Sequence, residues 1–431
     1  MNDTAVKSAD ILRTLGISEN ALLTHVFRPD HVAEAALHLD LHNAADGLDD
    51  DFPPPPSGLL YRLNVEKLGR DLHALLSACL VGYSLQLRRY GRPVLDQQWN
   101  WAQIPMDDYV PWTSSVKMHV ASVSKLITAM ALTKLLQDHG ISPDSPMAAW
   151  LPPYWQKGPG VERITFRQLL THTSGLVALD EKQPGPSDFQ FMKDQIALGA
   201  IGKPAVYRNM NFGLCRILIA MIDGAIPFRY FASGLTDSFW DLTTIAAYKR
   251  YVQQNVFDPV GVTSVFTHGD QDALAYPFPA VVKGWNSNDM TTMSGCCAWH
   301  LSVDDLLTVM AAFRRRGFIV EPAVAQKMLD RQFGLDVKRD TPLGRIYAKG
   351  GFWSFQDGKF VEQSNVFFLP KGMELVILAN SPLCKPDTGF MGQVLDAIEA
   401  NIESVLLSAI VTSVSAMALL GAFRQATRRR G

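Results

Sequence analysis

The spacing of apolar positions changes period several times along this chain, and each change marks an element. Leu68, Leu72, Leu75 and Leu76 recur at helical intervals within 63–80. Residues 81–90 then alternate apolar and polar as a half-buried strand does. Gly91-Arg92-Pro93 turns the chain, and 94–101 predicts a second strand. Residues 126–139 predict an apolar helix closed by Gly140. Thr165 can cap a short helix that ends near His172, with Gly175 in the turn beyond. Further helices are expected over 214–222 and 240–257. Another follows Ser302, where Asp304 and Asp305 fall in the first turn and suit the helix dipole. From Arg345 the period returns to two. Strands are expected over 345–355, 360–369 and 373–380, separated by Asp357-Gly358 and Pro370-Lys371-Gly372. An amphipathic helix from Phe390 to about Leu406 closes the pattern.

Strands therefore lie toward both ends and helices between them. This predicts an α+β fold: an antiparallel sheet flanked by helices, with an all-helical subdomain inserted. The sheet is expected from 58–115 and 340–403, and the helical part from about 116–339, so that 58–403 forms the catalytic domain. Residues 1–57 read as an extension. Its end carries Asp49-Asp50-Asp51 and four prolines, 53–56, which suit a linker. A lid, a dimerisation arm and simple packing all fit the extension.

At the other end, 404–423 holds no charge and is followed by Arg424, Arg428, Arg429 and Arg430. Its length matches a membrane span. Four serines and many alanines dilute it, so the favoured reading is an apolar helix, 404–431, with a basic tail, packed on the sheet or on a second subunit. Residues 1–20 lack an apolar run of the secretory kind, and a cytoplasmic location is expected.

Composition narrows the function classes only moderately. The 431 residues are 47% hydrophobic and 19% charged, as in a globular protein, and the net charge of −2 gives no reason to expect nucleic acid as a partner. The five cysteines are scattered and form no C-x-x-C pair, so neither a disulfide framework nor a zinc site is indicated, and adjacent Cys296 and Cys297 read as small buried residues.

Candidate chemistry begins at Ser122-Val123-Ser124-Lys125. Residues three apart share a helix face, so Ser122 and Lys125 project together. A serine hydroxyl needs a base beside it, and a lysine serves only if its surroundings lower its pKa. Tyr207-x-Asn209 adds a phenol and a carboxamide just before a helix. A phenol works as a base when ammonium groups favour its phenolate, and Lys125 and Lys349 could supply that field. Lys349-Gly350-Gly351 falls on a predicted strand, where glycines admit close backbone approach. Each motif also has a plain structural reading: Tyr207 as packing, Lys349 as a solvated strand residue, and Gly350-Gly351 as a bulge.

Taken together, the three motifs resemble the serine β-lactamase and penicillin-binding-protein family, specifically the branch of class C β-lactamases, D-Ala-D-Ala carboxypeptidases and family VIII carboxylesterases. The flanks 169–176 and 294–306 look like that family too, and the resemblance covers roughly 58–400. It implies a β-lactamase/transpeptidase-like fold and a serine hydrolase that is acylated on Ser122. Lys125 and Tyr207 would share acid–base duty, and Tyr207 would activate the deacylating water. Asn209 would bind the substrate amide or carbonyl. Lys349, Gly350 and Gly351 would line the substrate site, with Lys349 holding the phenolate field or a substrate carboxylate. The backbone N–H groups of Ser122 and Phe352 would form the oxyanion hole. No metal and no cofactor are expected.

Two departures shape the expected substrate. Class C β-lactamases usually carry Lys-Thr-Gly, whose threonine helps hold the β-lactam carboxylate, and Gly350 has no hydroxyl. The expected substrate is therefore a small ester or amide, cleaved by an esterase, amidase or peptidase rather than a dedicated β-lactamase. Phe352 and Trp353 either face the cleft or pack in the core. His172 reads as structural. An acyltransferase built on the same acyl-enzyme, and an acyl-accepting sensor that does not hydrolyse, remain as alternatives. The substrate's identity and the oligomeric state are left open.

Overall fold

The computed structural model describes residues 61–176, 186–200, 205–226, 237–383 and 389–405. The predicted N-terminal extension and all but the first two residues of the predicted tail lie outside them. The strands in chain order are β1 (Tyr61–Leu63), β2 (Gly82–Arg89), β3 (Arg92–Gln103), β4 (Val110–Pro111), β5 (Met118–His119), β6 (His300–Leu301), β7 (Val337–Thr341), β8 (Gly344–Phe355), β9 (Phe360–Leu369), β10 (Met373–Ala379) and β11 (Ile402–Ser404). The α-helices are α1 (Val65–Ser77), α2 (Ser124–Asp138), α3 (Phe166–Leu170), α4 (Phe189–Leu198), α5 (Asn209–Ile222), α6 (Asp237–Val252), α7 (Val303–Ala311), α8 (Pro322–Asp330) and α9 (Phe390–Ala400).

Seven strands form an antiparallel sheet in the order β4-β3-β2-β10-β9-β8-β7. Its central strands β9 and β10 are buried on both faces. One face carries α1 and α9, whose Leu68, Leu72, Leu76, Val394, Leu395 and Ile398 pack over Leu85, Leu87, Phe367 and Ile377. The opposite face, with Val366, Phe368, Val376 and Leu378, packs on the helices drawn from the middle of the chain. This is the expected α+β architecture. Helix α2 runs through the second core and is buried on every side, which is why its apolar residues do not form a stripe.

Capping follows the sequence closely. Thr165 and Gln168 make a reciprocal capping box on α3, and Ser302 and Asp305 make another on α7. The last helix differs from expectation. It stops at Ala400, and Ile402–Ser404 pairs as β11 with β1, so the two ends of the described chain meet. Cys79 is disulfide-bonded, a correction to the reading of the cysteines, whereas Cys215, Cys296 and Cys297 are free and buried. Among the described residues no helix is long and apolar enough to cross a membrane.

The strand β7 pairs with β8 only as far as Ala348, opposite Val337. From Lys349 to Phe355, β8 keeps β9 on one side, in the register Lys349↔Val366 and Gly351↔Ser364. Its other edge faces the start of α2. That open edge is where the candidate site lies.

Candidate active site

Ser122 sits in a 3-10 turn, Ala121–Val123, immediately before α2. The preceding Ala121 holds a positive φ of 44°, an uncommon conformation for a side-chain-bearing residue and a local strain at the point where the hydroxyl is presented. Ser122 is partly exposed, whereas Lys125, one turn on, is fully buried. The Lys125 ammonium donates to Ser122 Oγ (2.9 Å), Asn209 Oδ1 (2.8 Å) and the Cys296 carbonyl (3.1 Å). An ammonium has three N–H bonds, so these acceptors match its capacity. Burial opposes the charge on Lys125, but the Tyr207 oxygen and the sulfurs of Cys296 and Cys297 more than offset it and hold the amine above its ordinary value.

Tyr207 lies just before α5, and Asn209 is that helix's first residue. The phenol is bracketed by cations. Lys125 Nζ is 5.0 Å and Lys349 Nζ 5.1 Å from the ring centre, and Lys349 Nζ is 3.4 Å from the hydroxyl. Burial pushes the phenol up. Lys125 and Lys349 pull it down more strongly, Asp336 resists them, and a hydrogen bond from Ser122 assists, leaving it below its ordinary value. His172 stacks on the Tyr207 ring with centroids 4.2 Å apart. Burial and the same two lysines hold its imidazole down to about 2, so it is a neutral platform that also receives the Arg208 N–H at Nδ1. Sequence reading placed His172 in structure only; its contact with the phenol was not foreseen.

Lys349 is only 1% exposed, which excludes the solvated-strand reading. It pairs with Asp336, Nζ to Oδ1 at 2.7 Å, and the other Asp336 oxygen accepts the Gly350 N–H at 2.9 Å. Asp336 was not singled out by the sequence. Its own N–H bonds the Ala348 carbonyl, so it continues the β7 edge by one residue. Because alternate residues of a strand point their N–H groups the same way, the Phe352 N–H lies on the same open edge as that of Gly350. Gly351 sits between. A Cβ there would stand 2.4 Å from the Val120 carbonyl oxygen, 2.3 Å from Ser364 Oγ and 3.2 Å from Ser122 N. The absent side chain is what lets β8 come up against the 121–123 turn beside the Ser122 N–H.

The loop ahead of β6 supplies the Cys296 carbonyl and is itself fixed on several sides. Gly295 has φ 93°, and a Cβ there would meet the Phe212 carbonyl oxygen at 2.4 Å. Thr128 donates to the Gly295 carbonyl (2.7 Å), and Ser124 Oγ accepts the Trp299 N–H (3.1 Å). His119 reaches the Cys297 carbonyl through Nε2 and Glu362 through Nδ1 (2.8 Å), all of it buried. Trp353 packs edge-on to His119 at 5.7 Å, whereas Phe352 lies on the strand's opposite face and is 58% exposed. So of the two aromatic residues after the glycines, Trp353 turns inward. Among the described residues no group of three or more His, Cys, Asp or Glu side chains could hold a metal ion.

The Beta-lactamase family model matches residues 73–381, well over half of the chain. The chain belongs to the Beta-lactamase family. Among curated proteins this family member is 23% identical over 171 residues to PbpX of Bacillus subtilis (strain 168), a penicillin-binding protein by name alone; the match covers 39% of the chain and 37% of that protein's length. Among solved structures, the D-amino acid amidase of Ochrobactrum anthropi SV3 superposes with a TM-score of 0.58 at 19% identity, covering 81% of this chain and 99% of the amidase. EstCE1, titled a hydrolase with promiscuous acyltransferase activity, gives a TM-score of 0.56 at 18% identity, covering 78% and 99%. At these identities the structural likeness establishes the β-lactamase/transpeptidase-like fold.

Proposed function

We propose that the protein is a serine hydrolase that cleaves a small ester or amide through an acyl-enzyme on Ser122. The observation that carries this reading is Tyr207: a buried phenol set between two ammonium groups and hydrogen-bonded to the serine. Lys125 has all three N–H bonds committed to acceptors, so it acts as a fixed cation. Tyr207 is the base. It takes the Ser122 proton as Oγ attacks the substrate carbonyl carbon, and the oxyanion forms against the N–H groups of Ser122 and Phe352. Tyr207 returns the proton to the leaving alcohol or amine as the carbon–heteroatom bond breaks. Water then attacks the acyl group while Tyr207 takes its proton, and collapse frees the acid and Ser122. Asn209 keeps Lys125 oriented through Oδ1, at the place where the acyl side of the substrate would lie.

The reading is tested with a p-nitrophenyl ester. Ser122→Ala is expected to abolish the enzyme-dependent rate, and Tyr207→Phe to lower kcat by at least about 100-fold. Equal hydrolysis by wild type and Ser122→Ala removes the site. A stoichiometric burst with no turnover in the wild type would instead make the protein an acyl-accepting sensor.

A further inference from the structure

Asp336 occupies the position from which a buried lysine at this site would otherwise greet an anion. Its carboxylate lies 2.7 Å from Lys349 Nζ, and its second oxygen fills the Gly350 N–H at 2.9 Å. One N–H of the Lys349 ammonium and the Gly350 N–H are thus already taken by a charge that belongs to the protein. Lys349 is 1% exposed while the Asp336 side chain is 28% exposed, so the carboxylate, not the ammonium, forms the accessible side of the pair. Gly350 adds no hydroxyl that could hold a substrate carboxylate in its place. A Cβ at 350 would meet Asn365 Oδ1 at 3.1 Å, so that side of the strand is filled as well.

We propose that Asp336 makes this site select substrates that are uncharged on the leaving-group side, neutral esters or amides, and disfavour those bearing a carboxylate there. The proposal rests on the acyl-enzyme reading above and adds the substrate's charge class to it. An incoming carboxylate meets an ion pair with no net charge, and its own charge stands close to that of Asp336. Like charges at this range, in a site partly shielded from water, repel strongly enough to discriminate between substrates. The same carboxylate opposes the two lysines that depress the Tyr207 phenol, so Asp336 acts on the base as well as on the substrate.

The experiment compares 3-acetoxybenzoate with its methyl ester, which share the acetyl group and differ by one charge on the leaving phenol. In the wild type kcat/KM is expected to favour the methyl ester by at least about tenfold, a difference near 1.4 kcal/mol. Asp336→Asn, which keeps an oxygen for the Gly350 N–H, is expected to raise the acid-to-ester ratio by about tenfold and to move the acid limb of the pH–rate profile to lower pH. A wild type that hydrolyses both esters alike overturns the proposal, whatever the variant does. So does a ratio and acid limb unchanged in Asp336→Asn. Ser122→Ala runs alongside: if it retains the activity the acyl-enzyme reading fails, whereas Ser122-dependent hydrolysis without charge discrimination defeats only the role of Asp336.

Discussion

Lys349 stands 3.4 Å from the Tyr207 hydroxyl and 2.7 Å from an Asp336 oxygen, so its charge is divided between a phenol and a counter-ion. Replacing it tests the field directly. Lys349→Met removes one of the two cations that lower the phenol and leaves Asp336, which raises it. In the proposed mechanism the phenolate is the active form, so activity would fall as pH drops through the Tyr207 pKa. The acid limb of kcat/KM for a neutral ester is therefore expected to move to higher pH in Lys349→Met; a limb that stays in place takes Lys349 out of the field. Ser122, Lys125, Tyr207, Asn209 and Lys349 could be picked from the sequence because each is a chemically distinctive residue in a short local motif. Asp336 could not. It lies in a turn before a strand that was not predicted, and without the register of β7 on β8 nothing ties it to Lys349. His172 and the Cys296 carbonyl were hidden for a related reason: one acts through its ring face and the other through its main chain.

At the scale of elements, the site is a junction between the open edge of β8 and the turn before α2. Gly351 decides how closely they meet. Gly351→Ala is expected to lower kcat by at least about 100-fold, because the methyl group would collide with the Val120 carbonyl oxygen and Ser364 Oγ and push β8 away from the Ser122 N–H, half of the proposed oxyanion site. Overpacking of this kind also costs about 1–3 kcal/mol of stability. Kinetics and thermal unfolding on the same preparation check both, and a near-normal kcat in a folded variant would separate the glycine from the proposed oxyanion site. Elements whose signals are local were legible, including both capping boxes and the strands 360–369 and 373–379. Elements set by distant partners were not. Helix α5 begins at Asn209 rather than 214, although Asn-Met-Asn-Phe-Gly is a poor helix start; Asn209 is held by Lys125 and Asn211 by Ser174. Helix α9 ends at Ala400 because Asn401 bonds Asp71 and Lys67 on α1, and the next three residues pair with a strand at the other end of the described chain.

At the scale of the whole molecule, the two cores on either side of the sheet carry titratable groups whose state is set by burial. His300 is fully buried, and burial, with His119 and His268 adding to it, holds its imidazole down to about 3. His172 is held down to about 2. Both would titrate near 6.5 in the unfolded chain. The folded state therefore binds fewer protons than the unfolded state below about pH 6.5, and stability falls as pH falls through that point, by up to about 1.4 kcal/mol per pH unit for each histidine. Urea unfolding midpoints are expected to drop from pH 7 to pH 5, and His300→Gln should flatten the drop; an equally steep decline in the variant would place the acid sensitivity elsewhere.

The fit of Gly351 against the turn at 121–123 is main chain against main chain. Its tolerance comes from atomic radii, which no exchange of side chains at the mouth of the cleft can enlarge or trim. The partly exposed Asp336 and the exposed Phe352 stand at the rim, and their side chains take no part in that contact. The charge and bulk of the rim and the backbone fit beneath it are set by different atoms of this scaffold.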